Sequence, residues 1–386
     1  MLNKIVVFII TFTGLVSIFT VDVAATEISV SARSAVVMNA FTGEVVFAKN
    51  PYEKRGMAST TKIMTTLLAI ELSDLERQFK VNSTDVAVEG TSVGLKAGDT
   101  VSLDVLVKGM LLESGNDAAN VTATALGPGK DKFIALMNKR AKTLGMNSTF
   151  FKNPSGLTQE GHYSTAFDMA LLASEAVKNK TFREYCSEKS FRVTYGAPSK
   201  EVTFYNHNRF LNMYDGAFGI KTGFTKAAGR CLVTAVQKDG ATLVCVTLNA
   251  PDDWNDHKKM YDYSFGRLQR INVEIDCEKL SVPVVGGVKK FVAVNLNTPL
   301  NFFATEGFGD YETQIYVTPF LYAGVNKNDC VGKASVVDEK GREIAFSYLC
   351  AADGVAPYAK QDEKDEIPFY KKILQNIKEG LSRRQT

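Results

Sequence analysis

The hydrophobic pattern changes period four times along the chain. Residues 35–39 and 44–48 alternate as two short strands joined by Ala40-Phe41-Thr42-Gly43, with a glycine where a hairpin turn needs one. From there the period lengthens. Apolar residues recur at three and four spacing over 59–72, 103–112, 118–126, 131–144 and 165–178, which predicts helices. Strands return at 218–225, 231–237 and 241–249, the last two joined by Lys238-Asp239-Gly240, and helical periodicity resumes over 254–269. Strands at both ends of a helical block share one sheet only if the N-terminal hairpin comes back to the C-terminal strands. The pattern therefore predicts an α+β fold, an antiparallel sheet with helices on its faces, over residues 26–270. Beyond it, short runs at 291–296, 312–317, 334–337 and 343–347, separated by Gly, Asn, Asp and Pro, predict a small all-β domain over 271–360.

The two ends carry other signals. Residues 1–25 place Lys4 before an apolar stretch and then Val23-Ala24-Ala25, the order of charged, apolar and small residues expected of a secretory signal. The apolar stretch is short for a membrane span; an uncleaved anchor is the alternative, and either puts the folded part outside the cytoplasm. Residues 361–386 read as a charged linker and a helix with Tyr370, Ile373, Leu374, Ile377 and Leu381 on one face and Lys371, Lys372, Lys378, Arg383 and Arg384 largely off it. Such a basic amphipathic helix either lies in a membrane surface or packs as a terminal helix.

Composition narrows the chemistry. With 45 basic and 42 acidic side chains among 386 residues, the net charge of +3 excludes a nucleic-acid binder that tracks phosphates. The six cysteines never form C-x-x-C, and His162, His207 and His257 are too scattered for H-E-x-x-H, so metal binding loses its usual spacings. Cys330 and Cys350 form the one pairing worth testing as a bridge.

Ser59-Thr60-Thr61-Lys62 opens an apolar helix, which puts a candidate nucleophile one turn from a candidate base. Taken singly, S-x-x-K is as well explained by a capping serine and a surface lysine. Ser114-Gly115-Asn116 falls in a turn between two helices, and Lys221-Thr222-Gly223 falls on the first strand of the later β block. A polar connecting turn and a solvent-facing strand lysine would be their ordinary readings. All three in this order, each in its required local structure, resemble the serine penicillin-recognising enzymes, whose S-x-x-K, S-x-N and K-T-G converge on one cleft.

The longer stretches Ser59-Thr-Thr-Lys62-Ile-Met-Thr, Ser114-Gly-Asn116-Asp-Ala-Ala, Asn153-Pro154-Ser155-Gly156-Leu157 and Gly219-Ile-Lys221-Thr-Gly223-Phe-Thr resemble low-molecular-mass D-alanyl-D-alanine carboxypeptidases. That resemblance spans nearly the whole mature chain. It implies a serine β-lactamase/transpeptidase-like domain, a small β domain, a membrane-associating C-terminal helix, peptidoglycan stem peptides as substrate, β-lactams as inhibitors and no cofactor.

By motif, the resemblance implies that Ser59 attacks the carbonyl between two terminal D-alanines while Lys62 takes its proton. Burial and the neighbouring Lys221 should both lower the Lys62 pKa. Ser114 and Lys221 would pass the proton to the leaving group, and Asn116 would bond the substrate amide. The N–H groups of Ser59 and Phe224 would form the oxyanion hole. Thr222, beside Gly223, would grip the terminal carboxylate together with a cation. This chain departs from relatives that place an arginine after K-T-G or before it, leaving Arg209, His207 and Arg230 as candidates. Two alternatives carry weight: a class A-like β-lactamase, in which Glu160 would hold the deacylation water rather than sit as a solvated loop acid, and a non-catalytic wall-binding or β-lactam sensor module, against which the intact motifs argue.

Overall fold

The computed structural model describes residues 28–358, so the export signal read at 1–25 and the linker and helix read at 361–386 lie outside the described residues. The chain begins with β1 (Ser34–Asn39) and β2 (Val45–Lys49), the expected hairpin. Asn39 organises its turn: Oδ1 accepts the N–H groups of Phe41 at 3.1 Å and Thr42 at 3.3 Å, and Gly43 takes a φ of 71° that favours glycine.

A 3-10 turn, Ala58–Thr61, runs directly into α1 (Lys62–Leu72). There follow β3 (Gln78–Lys80), α2 (Ser83–Val86), β4 (Thr100–Ser102), α3 (Leu103–Leu111), α4 (Asn116–Leu126), α5 (Lys130–Thr143), α6 (Ala166–Ala176) and α7 (Lys180–Ser187). Several helices start where a side chain satisfies a first-turn amide that has no partner within the helix. Ser102 Oγ accepts from Val105 N–H at 3.3 Å, Thr165 Oγ1 from Asp168 at 3.1 Å and Asn179 Oδ1 from Phe182 at 3.0 Å. After the hairpin β5 (Ser190–Tyr195) and β6 (Lys200–Tyr205) come β7 (Ala217–Thr225), β8 (Gly229–Lys238), β9 (Ala241–Leu248) and α8 (Asp253–Phe265).

The N-terminal hairpin does return to the later strands, giving an antiparallel sheet of order β2-β1-β9-β8-β7. Alternation along its strands feeds two cores. Val36 and Met38 of β1 with Val244, Val246 and Leu248 of β9 face the large helical block, whereas Ala35, Val37, Leu243 and Cys245 face Met260 and Tyr261 of α8. All eight residues of β9 are buried, which is why that strand reads as an unbroken apolar run. In the second core His257 is held neutral: its ring nitrogens meet Thr234 Oγ1 at 2.7 Å and Thr247 Oγ1 at 3.0 Å, and burial lowers its pKa to about 3. β7 ends the sheet, so one side of its backbone is left free to line a cleft.

The β domain comprises β10 (Leu268–Asn272), β11 (Ser281–Val285), β12 (Phe291–Leu296), β13 (Asn301–Thr305), β14 (Tyr311–Val317), β15 (Leu321–Tyr322), β16 (Cys330–Asp338) and β17 (Glu343–Ala351). Six of them form a sheet of order β14-β16-β17-β12-β11-β15, and β10 pairs with β13. Its core, including Val282, Val292, Val294, Val336 and Leu349, is separate from the other two. The β1–β2 turn docks it: Asn39 Nδ2 donates to Phe303 O at 2.8 Å, Thr305 N–H donates to Glu44 at 3.1 Å, and Arg342 reaches Thr42 O at 3.4 Å. Cys330 and Cys350 stand opposite each other in the β16–β17 ladder as free thiols.

Three features depart from expectation. The helix predicted over 254–269 stops at Phe265 before Gly266, and the chain pairs as β10 with β13 more than thirty residues away. The expected boundary at 270/271 thus falls inside β10. The S-x-x-K serine sits on the 3-10 turn rather than in the α-helix itself, which starts at Lys62. Not anticipated at all is the β5–β6 hairpin; Phe191, Val193 and Tyr195 alternate there, but Lys189, Arg192, Lys200 and Glu201 dilute the signal.

Candidate active site

Three segments meet at the 3-10 turn: the loop before α4, the loop of residues 153–157 and strand β7. Their approach depends on missing side chains. A Cβ on Gly223 would come within 3.0 Å of Ser59 N and 3.1 Å of Thr60 N, so glycine lets β7 lie against the start of the turn. A Cβ on Gly156, at a φ of +89°, would fall 1.9 Å from Ala58 O. Thr60 and Thr61 hold the turn itself by donating to Met57 O at 2.6 Å and Ala58 O at 2.8 Å.

Lys62 is fully buried, and its Nζ has three neighbours: Ser59 Oγ at 3.1 Å, Asn116 Oδ1 at 2.7 Å and Ser155 O at 2.7 Å. Asn116 Nδ2 donates to Glu89 O at 2.6 Å, which fixes the amide with its oxygen toward the lysine. Two of the three neighbours are therefore carbonyl oxygens, which only accept. Both forms of the amine fit this set: an ammonium donates to all three, whereas a neutral amine gives two N–H groups to the carbonyls and keeps its lone pair for the hydroxyl proton of Ser59. Electrostatics favour the neutral form. Burial and then the charge of Lys221 push the Lys62 pKa well below the usual lysine value, opposed by Asp117. Asp117 is itself buried and saturated, accepting from Ser92 Oγ at 2.5 Å, Val93 N–H at 3.0 Å and Leu95 N–H at 3.1 Å.

Ser114 is buried in the α3–α4 turn with a φ of 61°, an uncommon conformation for a non-glycine residue, braced by Thr91 Oγ1 donating to its carbonyl at 2.8 Å. Lys221, on β7, is buried and lowered to about 7 by desolvation, with Glu113 opposing. Thr222 and Gly223 are half-buried and Phe224 is exposed. The three cation candidates separate clearly. Arg230 lies on β8 directly opposite Phe224, and its guanidinium is held by buried Asp253 at 2.7 Å and lies over the Trp254 ring at 5.9 Å. His207 is 3.3 Å from Glu113, and Arg209 is exposed on the 3-10 turn Arg209–Asn212. Glu160 is exposed on a turn and makes no ion pair or hydrogen bond among the described residues.

One contributor escaped the motifs. His162 Nδ1 accepts from Lys152 N–H at 3.0 Å, so Nε2 carries the proton and donates to Thr61 Oγ1 at 2.9 Å. Burial lowers its pKa to about 4 and keeps it neutral. It ties the 153–157 loop to the Ser59 turn, a role that only the fold reveals. Among the described residues no cluster of His, Cys, Asp and Glu could hold a metal.

Comparison with known proteins points one way. The family profile described as D-alanyl-D-alanine carboxypeptidase matches residues 21–252. The chain is 31% identical over 345 residues to D-alanyl-D-alanine carboxypeptidase DacF of Bacillus subtilis, covering 85% of this chain and 86% of that one. It is 35% identical over 252 residues to DacC of Escherichia coli, covering 61% and 62%. Among solved structures, D-alanyl-D-alanine carboxypeptidase DacD from Francisella tularensis superposes with a TM-score of 0.61 at 27% identity, over 88% of this chain and 97% of that one. The Streptomyces K15 DD-transpeptidase superposes at 0.60 with 31% identity, over 62% and 99%.

The packing at Gly156 makes a direct test. Gly156→Ala should displace Ala58 and Ser59, and a shift near 1 Å slows acylation of Ser59 by a fluorescent β-lactam about 10²-fold. Labelling at the wild-type rate by a variant whose circular dichroism is unchanged would show that the close contact is immaterial.

Proposed function

The chain belongs to the D-alanyl-D-alanine carboxypeptidase family of serine peptidases, and from that premise we propose that Ser59 is its nucleophile and neutral Lys62 the base. The observation that carries this assignment is the partner set of Lys62 Nζ, two carbonyl oxygens and Ser59 Oγ at 3.1 Å. As Oγ attacks the carbonyl between the two terminal D-alanines of a stem peptide, its proton passes to the Nζ lone pair. Oxyanion charge develops between the N–H groups of Ser59 and Phe224, where each preorganised donor is worth about 10²–10³ in rate. Protonated Lys62 then stands beside Lys221, whose charge lowered its pKa, and gives the proton up through Ser114 to the amine of departing D-alanine. Water enters the vacated subsite and releases the acyl group by the same route in reverse. Asn116, locked by Glu89, keeps the amine aimed at Ser59 and offers a contact to the substrate amide. A β-lactam enters the same pathway and stalls as the acyl-enzyme, and exposed Glu160 gives no support to rapid lactamase turnover.

For the terminal carboxylate, Thr222 is joined by Arg230 rather than His207 or Arg209. Strand pairing sets Thr222 opposite Leu232 and Phe224 opposite Arg230, so Arg230 shares their face and lies diagonal to Thr222, within reach of a long side chain. Asp253 holds the guanidinium by its Nε and one terminal nitrogen, which orients it without enclosing it; the side chain is 44% exposed. His207 is engaged with Glu113, the residue that also tempers Lys221.

The same reading extends to the chain ends: export by residues 1–25 and attachment of residues 367–386 to the outer membrane surface of the cell, facing peptidoglycan. No helix among the described residues is long and apolar enough to cross a membrane.

Three outcomes test these assignments. Ser59→Ala should abolish D-alanine release and β-lactam labelling with a loss of only about 0.5–1.5 kcal/mol in stability, since its hydroxyl bonds to Lys62 and caps no helix, while Lys62→Ala should slow acylation by at least about 10²–10⁴-fold. Covalent labelling of Ser59→Ala would refute the nucleophile. Arg230→Ala removes a charge-assisted hydrogen bond worth about 1.5–3 kcal/mol, so kcat/KM for a free D-alanyl terminus should fall about 10–100-fold, with little change for the amidated peptide. Equal losses on both substrates would assign the carboxylate to another group. Deleting residues 367–386 should free the mature protein from anionic vesicles without reducing peptide hydrolysis, since each basic residue near such a surface contributes about 1 kcal/mol. Continued pelleting of the truncated form would place the anchor elsewhere.

A further inference from the structure

The β domain carries two thiols that the reaction does not use, and their placement is specific. Cys330 opens β16, Cys350 lies near the end of β17, and the two are directly paired in the antiparallel ladder. Antiparallel pairs are of two kinds. The amide of Ala351 donates to the carbonyl of Asp329 at 2.9 Å, one residue beyond each cysteine, which marks Cys330–Cys350 as the non-hydrogen-bonded kind. Side chains of such a pair leave the same face of the sheet, with Cα atoms about 4.5 Å apart. That separation lies inside the range of about 4.4–6.8 Å that a disulfide spans without moving the backbone. By contrast, Cys186, Cys231 and Cys245 are buried in the catalytic domain, and Cys277 lies on a 3-10 turn outside the ladder.

We infer that Cys330 and Cys350 are a built disulfide site that staples the β16–β17 hairpin when the protein meets a disulfide oxidant. Exposure sets the order of events. Cys330 is exposed and Cys350 buried, so Cys330 as thiolate attacks a sulfur of the oxidant, forming a mixed disulfide and expelling one thiol. Cys350 then loses its proton and attacks the Cys330 sulfur, forming the intramolecular bond and expelling the second thiol. Two protein thiols are oxidised and one small-molecule disulfide is reduced to two thiols, so electrons and protons balance. Burial beside Cys330 raises the Cys350 pKa, so ring closure is the slower step and accelerates with pH. The staple closes the open end of the hairpin, beside the turn at Asn326–Asp329, where Asn328 N–H donates to Ala351 O and Ala351 N–H to Asp329 O, each at 2.9 Å. It lies in the β domain, whose core is separate from the one beside Ser59, and is independent of the proposed catalysis.

The test uses the mature chain with the small-molecule disulfide hydroxyethyl disulfide, followed by denaturation, thiol alkylation and mass spectrometry of the peptides. The expected result is loss of two of the six thiols, recovery of the Cys330 and Cys350 peptides as one cross-linked species, unchanged carboxypeptidase activity and a higher urea midpoint for the β domain. Cys350→Ser should instead trap Cys330 as a lasting mixed disulfide and lose the gain in midpoint. A lasting adduct on Cys330 in the wild-type chain, or six free thiols after prolonged exposure at raised pH, would overturn the proposal. An unchanged cooperative urea transition of the β domain in reduced Cys330→Ser and Cys350→Ser would show that its fold survives each change, so loss of the cross-link in either variant reports the missing thiol.

Discussion

The catalytic domain is arranged around one buried amine. An isolated ammonium taken out of water costs several kcal/mol even after relaxation, so Lys62 is tolerated in its enclosed position only if it gives up its charge or finds an anion. The single buried carboxylate acting on it, Asp117, is already saturated by Ser92, Val93 and Leu95, while Lys221 adds repulsion. Neutrality is the cheaper solution. Once the amine is neutral, two fixed carbonyl oxygens take its protons and its lone pair has one direction left, toward Ser59.

That requirement explains features otherwise scattered through the fold. The two-sided core holds the β1–β9–β8 sheet rigidly, and β7 at its edge brings Lys221 in beside the serine turn. The glycines at 223 and 156 allow two backbones to reach van der Waals contact with that turn. Asn116 is prevented from flipping by Glu89, and the left-handed backbone of Ser114 is held by Thr91. His162 links the loop that supplies the Ser155 carbonyl to Thr61, three residues after Ala58, which Gly156 of the same loop abuts, so the loop cannot drift without the turn. The side chains of Lys62, Asn116 and His162 are polar and buried, and each is hydrogen-bonded, which is the condition under which such networks rigidify a site.

The β domain is joined to this machinery at one end of the sheet, where two turns meet it. The β1–β2 turn supplies Asn39, which serves both its own turn and Phe303, and Glu44, which receives Thr305. The β8–β9 turn adds Asp239, whose carbonyl accepts from Arg270 at 3.1 Å, and Gly240, which lies against Phe303. Residues that close hairpins thus also dock a domain.

Much of this was legible in the chain. Periodicities of two and near 3.6 located β1, β2, β7, β8, β9 and most helices, because those elements bury one or two continuous faces. The three motifs named Ser59, Lys62, Ser114, Asn116 and Lys221, since S-x-x-K spacing follows directly from one helical turn. Tertiary structure decided what no local window contains. The strand β10 was hidden because its partner lies at 301–305, and a Leu-Gln-Arg-Ile-Asn run fits a fraying helix as well as an edge strand. The proposal of Arg230 over His207 and Arg209 rests on strand register and on the contact with Asp253, and the pinning of His162 depends on a contact across a hundred residues. Local pattern determines which face a residue shows; which residues meet there is settled by pairings whose partners are remote in sequence.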